Sequence, residues 1–166
     1  MKVLIIALPR TGSTSLLSII SQQRNLKSIF EPFHPTPIGN WDSYDKNEDN
    51  IVVKTIVCHH NNNIELCKNF DEVILLGRKN FKEHLESHSY HVYFSKTKGY
   101  HHTNPYVYKS PPIDLIELCK KDLIRMNKEL EDISNQLNIP IFYYEDLFDI
   151  YSDKRLRLKE EKNKII

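Results

Sequence analysis

Hydrophobic residues in this chain are concentrated in short runs, a continuous one at residues 2–8 and others at 51–57, 72–76 and 139–144. Apolar runs of this length are typical of strands that lie inside a parallel sheet and are covered on both faces. A shorter strand is expected immediately before Glu31. The pattern therefore predicts five strands distributed along most of the chain.

Two helices are predicted after the first and third of these runs. Residues 13–23 carry leucine and isoleucine on more than one side. Farther along, spacings of four, three and four separate Phe81, Leu85, His88 and Val92. Such spacings place side chains on one face of a helix, as in a helix that packs on a sheet.

A longer helix is predicted before the last strand. Its apolar positions alternate spacings of three and four residues, at Ile116, Cys119, Leu123, Met126, Leu130, Ile133 and Leu137. Asp114 with Glu117 is interpreted as a capping box at its start, and Asn138 marks its end. A coiled-coil seam has the same spacing, but three heptads beside predicted strands favour a helix packed on a sheet.

Strands that alternate with helices predict an α/β protein, a three-layer sandwich with a mainly parallel central sheet flanked by helices. The length of 166 residues suits one domain with a sizeable core. We assign residues 1–151 to this domain and residues 152–166 to a charged C-terminal tail, either a solvated helix or a frayed end. Ligands of such folds bind at the carboxyl ends of the strands.

Composition narrows the range of partners. Lys and Arg number 23 against 22 Asp and Glu, so the formal charge is +1. Broad nucleic-acid binding needs a basic excess and is not expected. The first apolar run is too short for a signal-peptide core or a membrane span. Three cysteines without C-x-x-C spacing indicate free thiols in a reducing compartment, so we expect a cytoplasmic protein.

The turn between the first strand and the first helix, A-L-P-R-T-G-S-T-S-L at residues 7–16, has the composition of an anion-binding loop. A helix N-terminus presents free N–H groups and the positive end of the helix dipole. Gly12 lets the backbone approach a phosphate, and Arg10 adds a charged, forked donor. Hydroxyl donors come from Ser13, Thr14 and Ser15.

The loop of nucleotide triphosphatases, G-x-x-x-x-G-K-[ST], has a similar frame but differs at two positions. Ala7 replaces its first glycine, and Ser13 occupies the position of its lysine. Hydrolysis of ATP or GTP is therefore not expected. A nucleotide or small-molecule kinase with a degenerate phosphate loop is the alternative function on the same fold.

The segment P-R-T-G-S-T-S-L resembles the 5′-phosphosulfate loop of sulfotransferases, which use 3′-phosphoadenosine 5′-phosphosulfate (PAPS) as co-substrate. The resemblance implies a P-loop-type sandwich and transfer of a sulfuryl group to a hydroxyl or amine of a small molecule or carbohydrate, without a metal. It also implies a loop that holds the 5′-phosphate and the sulfuryl group, with a basic residue, Arg10, supporting the leaving group. The implied donor-binding residues of this loop are Arg10, Thr11, Gly12, Ser13 and Thr14, with Ser15 beside them.

Sulfotransferases also carry a basic residue and a serine that hold the 3′-phosphate, after a later strand. The segment from Val73 to His88 is similar to the bacterial form, a strand followed by Arg-Arg-Asn/Asp and a helix that bears Ser. The family's spacing of eight residues joins Lys79 to Ser87, whereas Arg78 is nine residues away. We favour Arg78 because its guanidinium makes forked contacts to phosphate, and Lys79 is the alternative.

The proton acceptor for the transfer is assigned to Glu31, in the stretch F-E-P-F. This stretch resembles the Glu-Pro-Phe segment of bacterial sulfotransferases, in which the glutamate is the base in some members. Lys54 lies where other members have Lys-Thr-His, and it is assigned to the donor sulfate. That family histidine is replaced by an isoleucine here. Three other histidines are therefore alternative bases: His34, His59 and His60.

The resemblance extends to the closing segment, residues 109–149, where Glu145 and Asp146 are expected to cap the next helix. Surface exposure, rather than zinc binding, is expected for three histidines at helical spacing, His84, His88 and His91. Acceptor choice is assigned to two aromatic-bearing loops, at 32–50 and 96–109. The acceptor and the oligomeric state are left open. A catalytically silent nucleotide-binding protein is a further alternative, because the chain is shorter than typical sulfotransferases.

Overall fold

The structure is a computed structural model that describes residues 1–35, 43–98, 110–150 and 156–158, with the backbone alone for 96–98, 149–150 and 156–158. Large parts of the two loops assigned to acceptor choice, at 36–42 and 99–109, lie outside the described residues. So do most residues of the charged tail.

Five strands form the main sheet: β1 Lys2–Ala7, β2 Lys27–Phe30, β3 Ile51–Ile56, β4 Glu72–Gly77 and β5 Ile141–Tyr143. The helices are α1 Ser13–Arg24, α2 Asn63–Cys67, α3 Phe81–Lys98, α4 Ile113–Leu137 and α5 Tyr144–Leu147, with a 3₁₀ turn at Val57–His59. Two short strands, β6 Phe148–Ile150 and β7 Leu156–Leu158, pair outside this sheet.

The five main strands are all parallel and lie in the order β2-β3-β1-β4-β5. This confirms the predicted α/β class and the parallel sheet flanked by helices. Because the strands run in one direction, their carboxyl ends meet at the same edge of the sheet. The turns after β1, β2, β3 and β4 therefore lie along that edge.

The core consists of two apolar layers, one on each face of the sheet. Leu4 and Ile6 of β1 belong to the layer that includes α4, whereas Val3 and Ile5 belong to the layer that includes α1. All four side chains are fully buried. Coverage on both faces is the reason why β1 is an uninterrupted apolar run rather than an alternating one.

The long helix confirms the predicted stripe, but its start differs from the prediction. Its apolar positions Leu123, Met126, Leu130 and Ile133 are buried. The helix begins at Ile113, and Pro112, whose φ is fixed near the helical value, is the residue before it. Asp114 is therefore already inside the helix, so the predicted capping box at Asp114 is wrong. At the other end Asn138 adopts a left-handed conformation, which confirms the predicted stop.

Short elements at two places were not predicted. The five-residue helix α2 has too few residues to show a hydrophobic period. In the tail, β7 pairs antiparallel with β6, so residues 156–158 are neither helical nor frayed. Their Leu-Arg-Leu sequence alternates apolar and charged residues with the period of a strand.

The three cysteines, Cys58, Cys67 and Cys119, are free, as predicted. Among the described helices, none combines the length and the apolar character that crossing a membrane requires.

Candidate functional site

The turn between β1 and α1 has the backbone of an anion-binding loop. Gly12 is the residue before the helix and has a φ of 74°, in the left-handed region that glycine adopts at little cost. The first turn of α1 contains no acidic side chain. The amides of Ser13, Thr14 and Ser15 have no carbonyl one turn earlier to bond to, because they begin the helix. An anion at this position would therefore meet N–H groups without electrostatic opposition from the first turn.

The hydroxyl groups of the loop have different surroundings. Thr11 is fully buried, and its Oγ1 donates a hydrogen bond of 2.7 Å to the Leu8 carbonyl. The Thr11 hydroxyl therefore stabilises the turn and is not free to donate to an anion. Only the backbone of Thr11 is suited to an anion. Ser13 is also buried, whereas Ser15 is half-buried and Thr14 is exposed. Among the three predicted hydroxyl donors, Thr14 is the most accessible.

The start of α3 contacts this loop from the neighbouring strand β4. Arg10 Nε donates a long hydrogen bond of 3.5 Å to the Ser87 hydroxyl. Arg78 Nη1 donates to the Arg10 carbonyl at 3.3 Å, and the His84 ring lies 2.7 Å from the Pro9 carbonyl through Nε2. The two segments assigned to the two ends of PAPS are thus in direct contact at one edge of the sheet.

Arg78 and Lys79 have different environments. The Arg78 side chain is 12% exposed and lies between Glu83 and Glu145, at 3.4 Å from each carboxylate. The Lys79 side chain is 53% exposed and pairs with Asp146 at 2.6 Å. The structure therefore places the Arg78 guanidinium against the loop and the Lys79 ammonium at the surface.

Glu145 has a role that differs from the predicted cap of the next helix. Its carboxylate accepts hydrogen bonds from the backbone amides of Lys79 and Asn80, at 2.9 and 3.1 Å, just before α3. Burial alone would raise the pKa of Glu145, but these amides and Arg78 outweigh it and lower the pKa. Glu145, distant in sequence, therefore holds the turn before α3 and positions Arg78, whereas the Asn80 side chain caps α3 by accepting a hydrogen bond of 3.2 Å from the Glu83 amide. Asp146 pairs with Lys79.

A second group of site residues lies at the ends of β2 and β3. Glu31 and Lys54 form a buried ion pair, with side chains 10% and 3% exposed. Phe30 covers the ammonium, whose nitrogen is 4.4 Å from the ring centroid. Burial lowers the pKa of Lys54; pairing with Glu31 opposes this effect, and the positive charge of Arg10 adds to it. The effect of Arg10 is the smallest of these, and it agrees with the position of Arg10 in the turn after the neighbouring strand β1.

Of the three alternative bases, His34 and His59 lie beside Glu31. Nδ1 of His59 is 3.8 Å from Glu31 Oε2, and the His34 and His59 ring centroids are 4.5 Å apart. Burial lowers the pKa of His59 to about 4, against a partial rise from Glu31, so the ring is neutral near pH 7. His60 instead accepts a hydrogen bond from the Asn62 amide through Nδ1 and packs against Phe33.

Backbone strain coincides with the predicted site. Five non-glycine residues of the described chain have a positive φ, and three of them are asparagines, which tolerate this conformation. The other two are Arg10, at 61°, and Glu31, at 45°. Non-glycine residues in the left-handed region cost free energy and occur preferentially at functional sites. This observation associates both residues with the site independently of sequence motifs.

The predicted surface exposure of the histidines of α3 is wrong. His84 is fully buried, and His88 and His91 are half-buried. Since the Pro9 carbonyl can only accept, His84 carries its proton on Nε2. His84 therefore anchors the phosphate loop, a role that helical spacing alone did not indicate. The signal that could have found it is its place one turn into the helix that follows β4, beside the carboxyl edge of the sheet.

His88 gives a testable pH dependence. Burial, together with the nearby His84, His91 and Arg10, lowers its pKa to about 4, while Asp122 opposes the shift. Between pH 6.5 and 4 the His88 side chain then binds more protons in the unfolded state than in the folded state. Its contribution to the free energy of unfolding is therefore fully present above about pH 6.5 and is lost as the pH falls below that value.

We expect the free energy of unfolding to fall between pH 7 and pH 5, with about 1–2 kcal/mol of the fall due to His88. Urea unfolding at both values, compared between the wild-type protein and His88→Gln, measures this share, because the other titrating groups are common to both. An unchanged difference in the variant would contradict the assignment.

Comparison with known proteins adds no assignment. No protein-family model matches this sequence, and no curated protein matches it either. The fold and the site geometry define an α/β protein with a parallel sheet and, after its central strand, a turn that leads through a left-handed glycine into a helix N-terminus.

Proposed function

We propose that this protein is a PAPS-dependent sulfotransferase that transfers a sulfuryl group to a hydroxyl or amine of a small molecule or carbohydrate. The observation that carries the proposal is the contact between the β1–α1 loop and α3, through Arg10 and Ser87. These segments resemble the two PAPS-binding signatures of sulfotransferases, and they lie 77 residues apart in the chain. Their meeting at the carboxyl edge of a parallel sheet supports one binding site for both phosphate ends of the nucleotide.

The charges of the site suit the reaction. The acceptor oxygen forms a bond to sulfur while the bond from sulfur to the 5′-phosphate oxygen breaks, and negative charge accumulates on the leaving phosphate. Arg10 and Lys54 supply positive charge that stabilises the leaving 5′-phosphate. The acceptor proton passes to Glu31 or to the neutral His59. Glu31 is already paired with Lys54, so the two residues act as a unit.

Binding of nucleotides tests the proposal directly. We expect adenosine 3′,5′-bisphosphate, the product, to raise the melting temperature more than ATP or GTP does, because only it carries phosphates at both positions. Arg10→Ala is expected to weaken its binding about 10- to 100-fold by calorimetry, the loss expected for one charged hydrogen-bonding group. Lys27→Ala is the control, since Lys27 is exposed at the opposite end of β2.

Each outcome distinguishes the alternatives. Stronger binding of ATP than of the bisphosphate would favour the kinase. Binding of PAPS without sulfuryl transfer to any of a panel of hydroxyl and amine acceptors would favour a catalytically silent binding protein. Equal binding by Arg10→Ala and the wild-type protein would remove Arg10 from the site.

A further inference from the structure

We propose that Glu31, His34 and His59 form a binding site for a divalent transition-metal ion of the Zn²⁺ class. A metal ion is expected neither from the sequence nor from the sulfotransferase resemblance. The proposal concerns binding alone and does not depend on the proposed function.

The three side chains are arranged closely enough to share an ion. One ligand atom from each, a carboxylate oxygen and two imidazole nitrogens, lies within 4.8 Å of the others. In a tetrahedral zinc site, bonds of about 2.0–2.2 Å place neighbouring ligand atoms roughly 3.3–3.6 Å apart. Side-chain rotations that move these ligand atoms by about 1 Å would therefore bring them to the distances of a zinc site.

A buried histidine nitrogen supports a ligand at this position. Nδ1 of His59 is buried and has no hydrogen-bond partner in the described part of the chain. It lies 3.8 Å from Glu31 Oε2, too far for a hydrogen bond. Leaving a buried polar atom unsatisfied costs free energy. A metal ion between Nδ1 and Oε2 would satisfy both atoms.

The backbone holds the three residues in place. The Glu31 amide donates to the Lys54 carbonyl at 2.9 Å, and the His34 amide donates to the Glu31 carbonyl at 3.0 Å. This tight turn brings Glu31 and His34 to the end of β2. His59 comes from the 3₁₀ turn after β3, which is the neighbouring strand. The ligands thus come from two adjacent strand ends, and their backbones lose little conformational entropy when an ion binds.

Lys54 determines how tightly the ion binds. Its ammonium pairs with Glu31 Oε1 and leaves Oε2 on the side of His59. An ionised carboxylate accepts through both oxygens, so the pairing permits a metal on Oε2. The nearby positive charge nevertheless repels a cation. Removing that charge by Lys54→Met is therefore expected to tighten metal binding.

Ligand chemistry selects the kind of ion. Two imidazoles and one carboxylate suit Zn²⁺, Co²⁺ or Ni²⁺, whereas Mg²⁺ and Ca²⁺ prefer oxygen ligands. Three protein ligands also leave a coordination position for water or another small ligand, as in zinc sites of the catalytic type.

Metal titration of the full, tag-free chain tests the site. We expect Zn²⁺ to bind with one-to-one stoichiometry by calorimetry, Co²⁺ to give visible d–d absorption, and Mg²⁺ to give neither signal. His34→Ala and His59→Ala should each weaken Zn²⁺ binding at least tenfold. Lys54→Met should strengthen it at least threefold.

His91→Ala is the matched control, because His91 lies on α3 with His84 and His88 and is not one of the three proposed ligands. Wild-type affinity in this variant, with loss in the other two, supports the site. Weaker Zn²⁺ binding in His91→Ala would place the metal ion on α3 and overturn the proposal. A dissociation constant for Zn²⁺ above about 100 µM in the wild-type protein would also overturn it. Should His59→Ala fail to fold, His34→Gln with circular dichroism as a fold check decides the question.

Discussion

Replacing Glu31 with glutamine is expected to lower the free energy of unfolding by about 3 kcal/mol, because it leaves the Lys54 ammonium buried without its counter-charge. The Lys54 side chain is only 3% exposed, and Phe30 lies over its nitrogen, so water cannot replace the lost carboxylate without rearrangement. Urea unfolding at pH 7 in the presence of a chelator measures the effect on the metal-free protein.

A double-mutant cycle separates the ion pair from other contributions. The double variant Glu31→Gln/Lys54→Met removes both charges, and we expect it to recover most of the loss, since a neutral pair has no buried charge to compensate. Glu48→Gln is the matched control, because Glu48 pairs with Lys27, whose side chain is 63% exposed. Its expected change is below about 1 kcal/mol. Equal stability of Glu31→Gln and the wild-type protein would contradict the buried pair.

The same variants bear on the proton acceptor. If Glu31 is the base, Glu31→Gln abolishes sulfuryl transfer while donor binding persists at a temperature where the variant is folded. If His59 is the base, His59→Gln has that effect, and Glu31→Gln retains partial transfer. Full activity in Glu31→Gln would eliminate Glu31. Measuring stability first is necessary, because the ion pair couples the chemistry at Glu31 to folding.

Arg78→Ala is expected to weaken binding of adenosine 3′,5′-bisphosphate about 100-fold, equivalent to about 2.7 kcal/mol, whereas Lys79→Ala changes it less than threefold. The Arg78 guanidinium donates to the Arg10 carbonyl and lies 4.9 Å from the Tyr144 ring centroid. Its loss therefore removes a forked donor and a support of the phosphate loop together. Calorimetry on the three proteins gives the comparison.

Arg78→Lys refines this test. The lysine keeps one positive charge but loses the planar fork, so we expect an intermediate affinity. A larger loss in Lys79→Ala than in Arg78→Ala would assign the 3′-phosphate to Lys79, in agreement with the eight-residue spacing to Ser87. Unchanged affinity in both variants would place the nucleotide elsewhere.

Local patterns in the sequence were sufficient for the main elements and the fold class. Runs such as residues 2–8 and 51–57 are predominantly apolar because they are covered on both faces, and this requirement is visible residue by residue. The turn between β1 and α1 was visible for a similar reason, since Gly12 and its neighbours are adjacent in the chain.

The tertiary structure decided which of these residues meet. Glu31 and Lys54 are 23 residues apart, and Arg10 and Ser87 are 77 apart, so their contacts depend on the order of strands in the sheet. The inward position of Arg78 depends on Glu145, which lies 67 residues farther along. Hydrophobic periodicity reports only whether a position is buried, whereas the partner of a buried charge is chosen by strands and helices that pack from distant parts of the chain.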